Sequence, residues 1–80
     1  MTDAVVKRSV QIAGHATSVS LERPFWDALG EIAQERGLPV RALIAEVDGS
    51  REAGNLSSAI RMFVLAHFRE IARAGGAPNA

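Results

Sequence analysis

Cysteine and tyrosine are both missing from this chain of 80 residues, and tryptophan occurs once. Without cysteine the chain has neither a disulfide nor a thiolate ligand for a metal, which fits a cytoplasmic setting. No stretch approaches the roughly 20 apolar residues that a membrane-spanning helix needs. The first residues also lack the basic-then-apolar order of a secretory signal. These absences predict a cytoplasmic protein with no membrane partner.

An excess of charge of one sign is missing as well. Nine Lys and Arg are balanced by nine Asp and Glu, so the formal net charge is zero. A protein that binds duplex DNA gains much of its affinity by neutralising phosphates, so this neutrality weakens the case for DNA binding. The charges are unevenly spread, because acids outnumber bases over residues 24–50 while Lys7, Arg8 and Arg23 precede that stretch. A mildly positive surface can therefore still form around the N-terminal part.

Motifs for catalysis and for metal binding are also lacking. The chain has no G-x-S-x-G elbow and no phosphate-binding glycine loop. Its two histidines, His15 and His67, have no metal-ligand spacing. The apolar neighbours of His67 predict a packed histidine, whereas His15 beside Gly14 is either a loop residue or a contact to DNA or a partner. The sequence predicts a protein that is not an enzyme and has no cofactor and no metal.

Two short runs near the N-terminus alternate polar and apolar residues, which is typical of half-buried strands. These are Ser9-Val-Gln-Ile12 and Thr17 to Leu21, separated by Ala13-Gly14-His15. The runs could form a hairpin, or the first could extend as an arm; the connection lacks an Asn-Gly or Asp-Gly signal, so neither is favoured. Val19 and Leu21 share one face of the second run with Thr17, and Ser18, Ser20 and Glu22 share the other.

Three helices are predicted from apolar residues at helical spacing. The first runs from about Pro24 to Arg36, the second from about Pro39 to Val47, and the third from just after Asn55 to about Arg73. Asp27, Glu31 and Glu35 lie opposite the apolar face of the first helix, as a solvated surface or as an acidic docking surface.

The third helix is apolar on nearly all sides, and an 80-residue chain has few elements to surround it. A second copy of the chain is the simplest source of the missing contacts, so we expect a homodimer. The predicted dimer core consists of Val19, Leu21, Phe25, Leu29, Ile44, Ile60, Phe63 and Val64. The expected organisation is a flexible arm over residues 1–8, one domain over 9–74 and a flexible tail over 75–80.

The order of a short strand, a helix that begins at a proline, a glycine stop and another helix resembles the ribbon-helix-helix family of small dimeric DNA-binding proteins. The resemblance covers roughly Thr17 to Val47. More narrowly, Lys7-Arg-Ser-Val10, Ile12-Ala-Gly-His15 and Gly54-Asn-Leu-Ser-Ser-Ala59 are similar to a bacterial subfamily of uncharacterised function. The resemblance implies a mainly α fold with a short β ribbon and three helices, in an intertwined homodimer. The ribbon would combine one strand from each chain.

A transcription regulator that reads the major groove of double-stranded DNA with this ribbon is the function that the resemblance implies. The alternative is a dimerisation or protein-interaction module that keeps the fold and does not bind DNA, with another protein as its partner. The candidate DNA-binding residues are Lys7, Arg8, Gln11, His15, Ser18, Ser20, Glu22, Arg23 and Arg41.

Two departures from the family pattern affect the implied DNA contacts. The groove-facing positions of the second run hold two serines and Glu22, where the family usually carries Arg, Lys, Asn or Gln. Glu22 either faces the groove, where it repels DNA unless it accepts from a cytosine or pairs with Arg23 or Arg8, or stabilises the first helix as an N-terminal acid. At the expected start of the second helix, Pro39 removes one N–H that could have held a phosphate.

Overall fold

The computed structural model describes residues 4–50 and 54–75 of the chain. Two strands are followed by three helices in this part of the chain, as the sequence predicts. The elements are β1 (Val5–Ile12), β2 (His15–Glu22), α1 (Arg23–Arg36), α2 (Val40–Ser50) and α3 (Leu56–Ala74). Residues 51–53, between the predicted second and third helices, lie outside the described residues. So do residues 76–80 of the expected tail.

β1 and β2 form an antiparallel hairpin, which decides between the two arrangements that the sequence left open. Ile12 pairs with His15, so the turn between the strands has only two residues. Both of these, Ala13 (φ 51°) and Gly14 (φ 83°), have a positive φ, as a type I′ turn requires. This turn type matches the twist of the strands, although alanine carries a steric cost in this region. The first strand begins at Val5 rather than Ser9, so half of the expected arm over residues 1–8 is strand.

Alternation along the hairpin divides it into two faces. The inner face packs on the helices and includes Val19 and Leu21, both fully buried, and Ile12. Val6 and Val10 are partly buried against the same core. The opposite face, which we call the outer face, carries Val5, Lys7, Ser9 and Gln11 from β1 and Ala16, Ser18, Ser20 and Glu22 from β2. The hydrophobic pattern of the sequence therefore assigned the faces of β2 correctly.

α1 begins and ends where the sequence predicts, to within one residue. Pro24 lies in its first turn, where an N–H has no helical partner. Gly37 ends the helix in the left-handed conformation (φ 68°), and its N–H donates to the last carbonyls of the helix. The helix buries Trp26, Leu29, Ile32 and Ala33. This face is the apolar one that the helical spacing indicated, and Trp26 is part of it.

α2 begins within one residue of the predicted start and ends three residues beyond the predicted end. It begins at Val40, and Pro39 precedes it, with the Pro39 carbonyl accepting from the N–H groups of Ala42 and Leu43. The N–H that proline lacks is therefore outside the helix, so the expected loss of a phosphate-binding donor within it does not occur. The helix continues to Ser50, three residues beyond the expected end, because Val47 is buried and anchors the last turn. Its other buried residues are Leu43 and Ile44.

α3 is the longest helix, with 19 residues. Asn55 caps it as predicted, since its side chain accepts from the N–H of Ser58. Only one side of the helix is buried in the chain, through Leu56, Ile60 and Val64. Met62 and Leu65 are exposed on the opposite side, and Phe68 and Ile71 are exposed farther along the helix. Because α1, α2 and β2 contact one side only, a single chain leaves uncovered the contacts that the sequence assigns to a second copy.

The expected dimer core forms the core of one chain. Six of its eight residues are buried within the protomer, namely Val19, Leu21, Leu29, Ile44, Ile60 and Val64. Phe25 and Phe63 are partly buried and pack against that cluster. Side chains that are already enclosed by their own chain have little surface left to offer a partner. Of the eight predicted residues, Phe25 and Phe63 keep the most surface for a contact between copies.

Candidate nucleic-acid interface

Apart from Val5 and Ala16, the outer face of the hairpin is polar, and most of it is exposed. Lys7, Ser9, Gln11 and Ser18 are exposed, and Ser20 is half-buried. These residues face the same way because each is an even number of positions from the others along its strand, and the register aligns the two strands. Five of the nine candidate DNA-binding residues lie on this face: Lys7, Gln11, Ser18, Ser20 and Glu22. Ser9 was missed, although its position midway between Lys7 and Gln11 was a sufficient signal.

Glu22 ends the outer face and is bound by Arg61 of α3. The Arg61 Nε and Nη2 atoms donate to the two carboxylate oxygens at 2.9 and 3.2 Å. These hydrogen bonds, with one from the backbone of Glu22 itself, hold the pKa of this carboxyl below its ordinary value. Glu22 precedes α1, but its side chain caps no N–H of the helix. The carboxylate of Glu22 is thus neutralised by an arginine 39 positions away in sequence.

α3 also contacts the backbone of the hairpin. The N–H of Ser20 donates to Ser57 Oγ at 3.1 Å. At Ser20, therefore, the edge of β2 that faces away from β1 is occupied by the first turn of α3. Ser57 and Arg61 lie four residues apart on one side of that helix, and together they fix the C-terminal half of β2. Sequence reasoning missed both residues because nothing in a local pattern reports contacts this distant.

The ribbon is complete within one chain. The resemblance implied a pair of strands contributed by two chains, whereas β1 and β2 here belong to the same chain and are joined by a two-residue turn. A two-stranded antiparallel ribbon is the size that the major groove of B-DNA admits. One chain therefore supplies a two-stranded ribbon, and its outer face carries mainly polar side chains.

Arg8 lies on the helix side of the hairpin. Its register partner is the buried Val19, and its guanidinium carbon is 4.7 Å from the centroid of the Trp26 ring. Trp26 in turn donates from Nε1 to the Val6 carbonyl at 2.9 Å. The structure therefore separates Arg8 from Lys7, its neighbour in sequence, which points to the outer face.

The other three candidates are spread over the molecule. His15 is exposed beside the turn, and Arg23 is exposed at the start of α1, beyond the opposite end of β2. These two ends are separated by the length of the eight-residue strand, about 26 Å. Arg41 is exposed in the first turn of α2. The structure does not bring these residues together with the five on the outer face.

His67 is packed, as its neighbours in sequence predicted. Its ring meets Phe68 edge to face, and its Nε2 lies 3.6 Å from Glu35 Oε1. Among the residues that the structure describes, no group of three or more side chains could hold a metal ion. Within the same residues, no helix is both long enough and apolar enough to span a bilayer.

Comparison with known proteins agrees with the fold described above. A search of curated proteins finds no match. A similar solved structure is that of an uncharacterised protein from Bordetella pertussis Tohama I, with a TM-score of 0.73 and 37% sequence identity. The alignment covers 99% of this chain and 66% of that one. The family model of the ribbon-helix-helix domain matches residues 5–68. The chain thus belongs to the ribbon-helix-helix domain family.

Proposed function

We propose that this protein is a homodimeric, double-stranded-DNA-binding regulator of transcription that lays the outer face of its hairpin in the major groove. Ribbon-helix-helix domains typically bind DNA as transcription regulators and usually form dimers. The proposal includes a cytoplasmic location in a bacterial cell, where the DNA is accessible.

The neutralisation of the Glu22 carboxylate by Arg61 is the observation that best supports this proposal. A free carboxylate on the outer face would meet the negative potential of the DNA. Arg61 binds both oxygens of Glu22 and supplies a balancing positive charge at that end of the ribbon. Lys7 then contributes a further positive charge, and within residues 4–50 and 54–75 it forms no ion pair with an acid. The outer face is therefore compatible with phosphates although the chain as a whole is neutral.

A ridge of apolar side chains on α3 supports the dimer. Met62, Leu65, Phe68 and Ile71 follow one another at intervals of three residues, and Met62 and Leu65 are 63% and 50% exposed. Each step of three residues turns about 60° around the helix axis, so Met62 and Leu65 form a short ridge that fits a groove of another helix, while Ile71 lies on the side of Ile60 and Val64. A second α3 is the partner we propose, because each copy offers the same ridge and a two-fold axis would bury both.

The alternative function is a protein-interaction module that does not bind DNA. The exposed acids of α1, Asp27, Glu31 and Glu35, favour it, because they give that helix a negative surface. Such a surface would attract a basic partner protein and repel DNA.

A charge placed on the outer face separates the two functions. Ser18→Glu adds a carboxylate at the centre of that face, and Gln34→Glu adds one at an exposed position of α1. The measurement is the fluorescence anisotropy of a labelled random-sequence duplex over a series of salt concentrations. We expect the wild type to bind, the Ser18→Glu variant to bind more than about tenfold more weakly because like charges in an interface cost several kcal/mol, and the Gln34→Glu variant to bind like the wild type.

Two results would contradict the proposal. If the wild-type protein leaves the duplex unbound at low salt, the protein-interaction module becomes the better account. If the Gln34→Glu variant loses affinity and the Ser18→Glu variant keeps it, DNA is bound by the helical side of the molecule. Circular dichroism of both variants checks that the fold is retained, which their exposed positions favour.

A further inference from the structure

We propose that β1, rather than β2, supplies the side chains that read bases, with Gln11 recognising adenine and Lys7 recognising guanine. This inference rests on the proposed function and identifies the residues that determine its sequence preference. The resemblance to the family had assigned the groove-facing positions to the second run, which is β2.

The outer face of β2 has little capacity to read bases. Ala16 has no polar side-chain atom, and Ser18 and Ser20 carry one short hydroxyl each. Glu22 could accept from a cytosine amino group. Both of its oxygens are already bound by the Arg61 guanidinium, however, which draws the carboxylate towards α3. Of the side chains on the outer face of this strand, none therefore combines length with an unoccupied polar end.

β1 offers both properties at two positions. Lys7 lies opposite Ser20 and Gln11 lies opposite Ala16, so each long side chain has a small cross-strand neighbour. Small neighbours leave the long side chains standing above the sheet surface. Within the part of the chain that the structure describes, neither side chain forms a hydrogen bond or an ion pair. The two ends are therefore free to bind a ligand that approaches the outer face.

The chemistry of these two ends fits base edges in the major groove. A glutamine amide donates to and accepts from adenine at N6 and N7, and a lysine ammonium donates to guanine at O6 and N7. Four residues separate Lys7 from Gln11, or about 13 Å along the strand. Bases follow one another at about 3.4 Å along each DNA strand. The two side chains would thus contact bases about four steps apart, with the short Ser9 and Ser18 between them.

Selection of binding sites from a randomised duplex library tests this inference. The library is bound by the wild type, by Gln11→Ala, by Gln11→Lys, by Ser18→Ala on β2 and by the matched control Gln34→Ala on the exposed side of α1. We expect the wild type to select a motif that contains an adenine, and Gln11→Ala to lose the preference at that position alone. On the selected duplex its affinity should fall about 5- to 150-fold, the usual effect of a two-point base contact. Gln11→Lys should change the preferred base from adenine to guanine, and Gln34→Ala should keep the wild-type motif.

Lys7 is tested in the same experiment. Lys7→Ala should lose the preference for guanine at a second position, about four steps from the first. If it instead weakens binding to all sequences equally and reduces the salt dependence, Lys7 contacts a phosphate and its assignment is wrong.

Different results contradict this inference and the proposed function. If no duplex binds, both are contradicted. If the wild type binds DNA but selects no motif, or if Ser18→Ala alters the motif while the Gln11 variants retain it, DNA binding stands and reading by β1 is overturned.

Discussion

Arg8 stacks on Trp26, with its guanidinium carbon 4.7 Å from the ring centroid, and this contact ties the first strand to the first helix. The indole N–H of the same tryptophan donates to the carbonyl of Val6. A strand with only one neighbour is otherwise held along one edge. One aromatic residue therefore anchors the beginning of β1, which explains why that strand starts several residues earlier than its polarity pattern suggested.

Replacing Trp26 with Phe should loosen this anchor. The variant loses the hydrogen bond to Val6 and part of the attraction for Arg8, so we expect a loss of about 1–2 kcal/mol in the free energy of unfolding. Hydrogen exchange of the amides in residues 5–8 should accelerate more than exchange in α2. Arg8→Met is the matched variant, because it keeps the indole hydrogen bond, and it should cost less. Unchanged exchange in β1 of the Trp26→Phe variant would mean that another contact holds the strand.

Much of the fold follows from local patterns in the sequence. The helical spacing of apolar residues located α1, because the buried residues recur on one face, and Asn55 marked the start of α3 because an N-cap is a local signal. The strand faces followed from alternation. The hairpin did not, since an Ala-Gly pair is a weak signal for the turn that it forms.

The candidate site was less accessible to sequence reasoning. Its composition could be predicted, because alternation assigned Ser18, Ser20 and Glu22 to one face. Its electrostatics could not, because the partner of Glu22 is Arg61, 39 positions away in another element. The position of the Arg8 side chain likewise depends on a residue distant in sequence, Trp26 of α1. Contacts of this range arise only from the packing of α1 and α3 on the hairpin.

Two substitutions in the turn should have opposite effects on stability. Ala13→Asn should stabilise the protein by about 0.5–1 kcal/mol, because asparagine tolerates a positive φ and Asn-Gly is the preferred pair for a type I′ turn. Gly14→Ala should destabilise it by about 1 kcal/mol or more, since the φ of 83° strains any side chain. Space is no obstacle, because nothing lies within 4 Å of a Cβ at Gly14. Urea denaturation measures the free energy of unfolding of both variants. If both changes stabilise the protein, or both destabilise it, the positive φ angles of the turn are contradicted.

Glu22→Gln should lower the melting temperature at neutral pH, with a difference that depends on pH. The pKa of Glu22 in the folded protein is lowered from the ordinary value of 4.5, chiefly by Arg61. Its stabilising effect is therefore complete above that ordinary value and is lost as the pH falls through the lowered pKa. The melting curves of wild type and variant should converge in acid. Glu31→Gln, at an exposed position of α1, is the control and should differ little at either pH. A gap that persists in acid would mean that the carboxylate charge is not its source.

Leu65→Ala should weaken the dimer that we propose. Leu65 is 50% exposed in the protomer, so a partner helix would bury the other half of a side chain worth about 1.5–3 kcal/mol in full. A two-fold axis brings two copies of the change into one interface, for a total of about 2 kcal/mol, or a roughly 30-fold higher dissociation constant. Sedimentation equilibrium over a range of concentrations measures this constant.

Leu38→Ala provides the comparison for that measurement. Leu38 is also an exposed leucine, at 37%, but it lies between α1 and α2 rather than on the ridge of α3. Its truncation should leave the dissociation constant unchanged. If Leu38→Ala separates the subunits and Leu65→Ala does not, copies of the chain associate through the α1–α2 connection. If the wild type sediments as a monomer at every concentration, the ridge has no second copy as its partner, and the exposed side of α3 must serve another protein or remain in water.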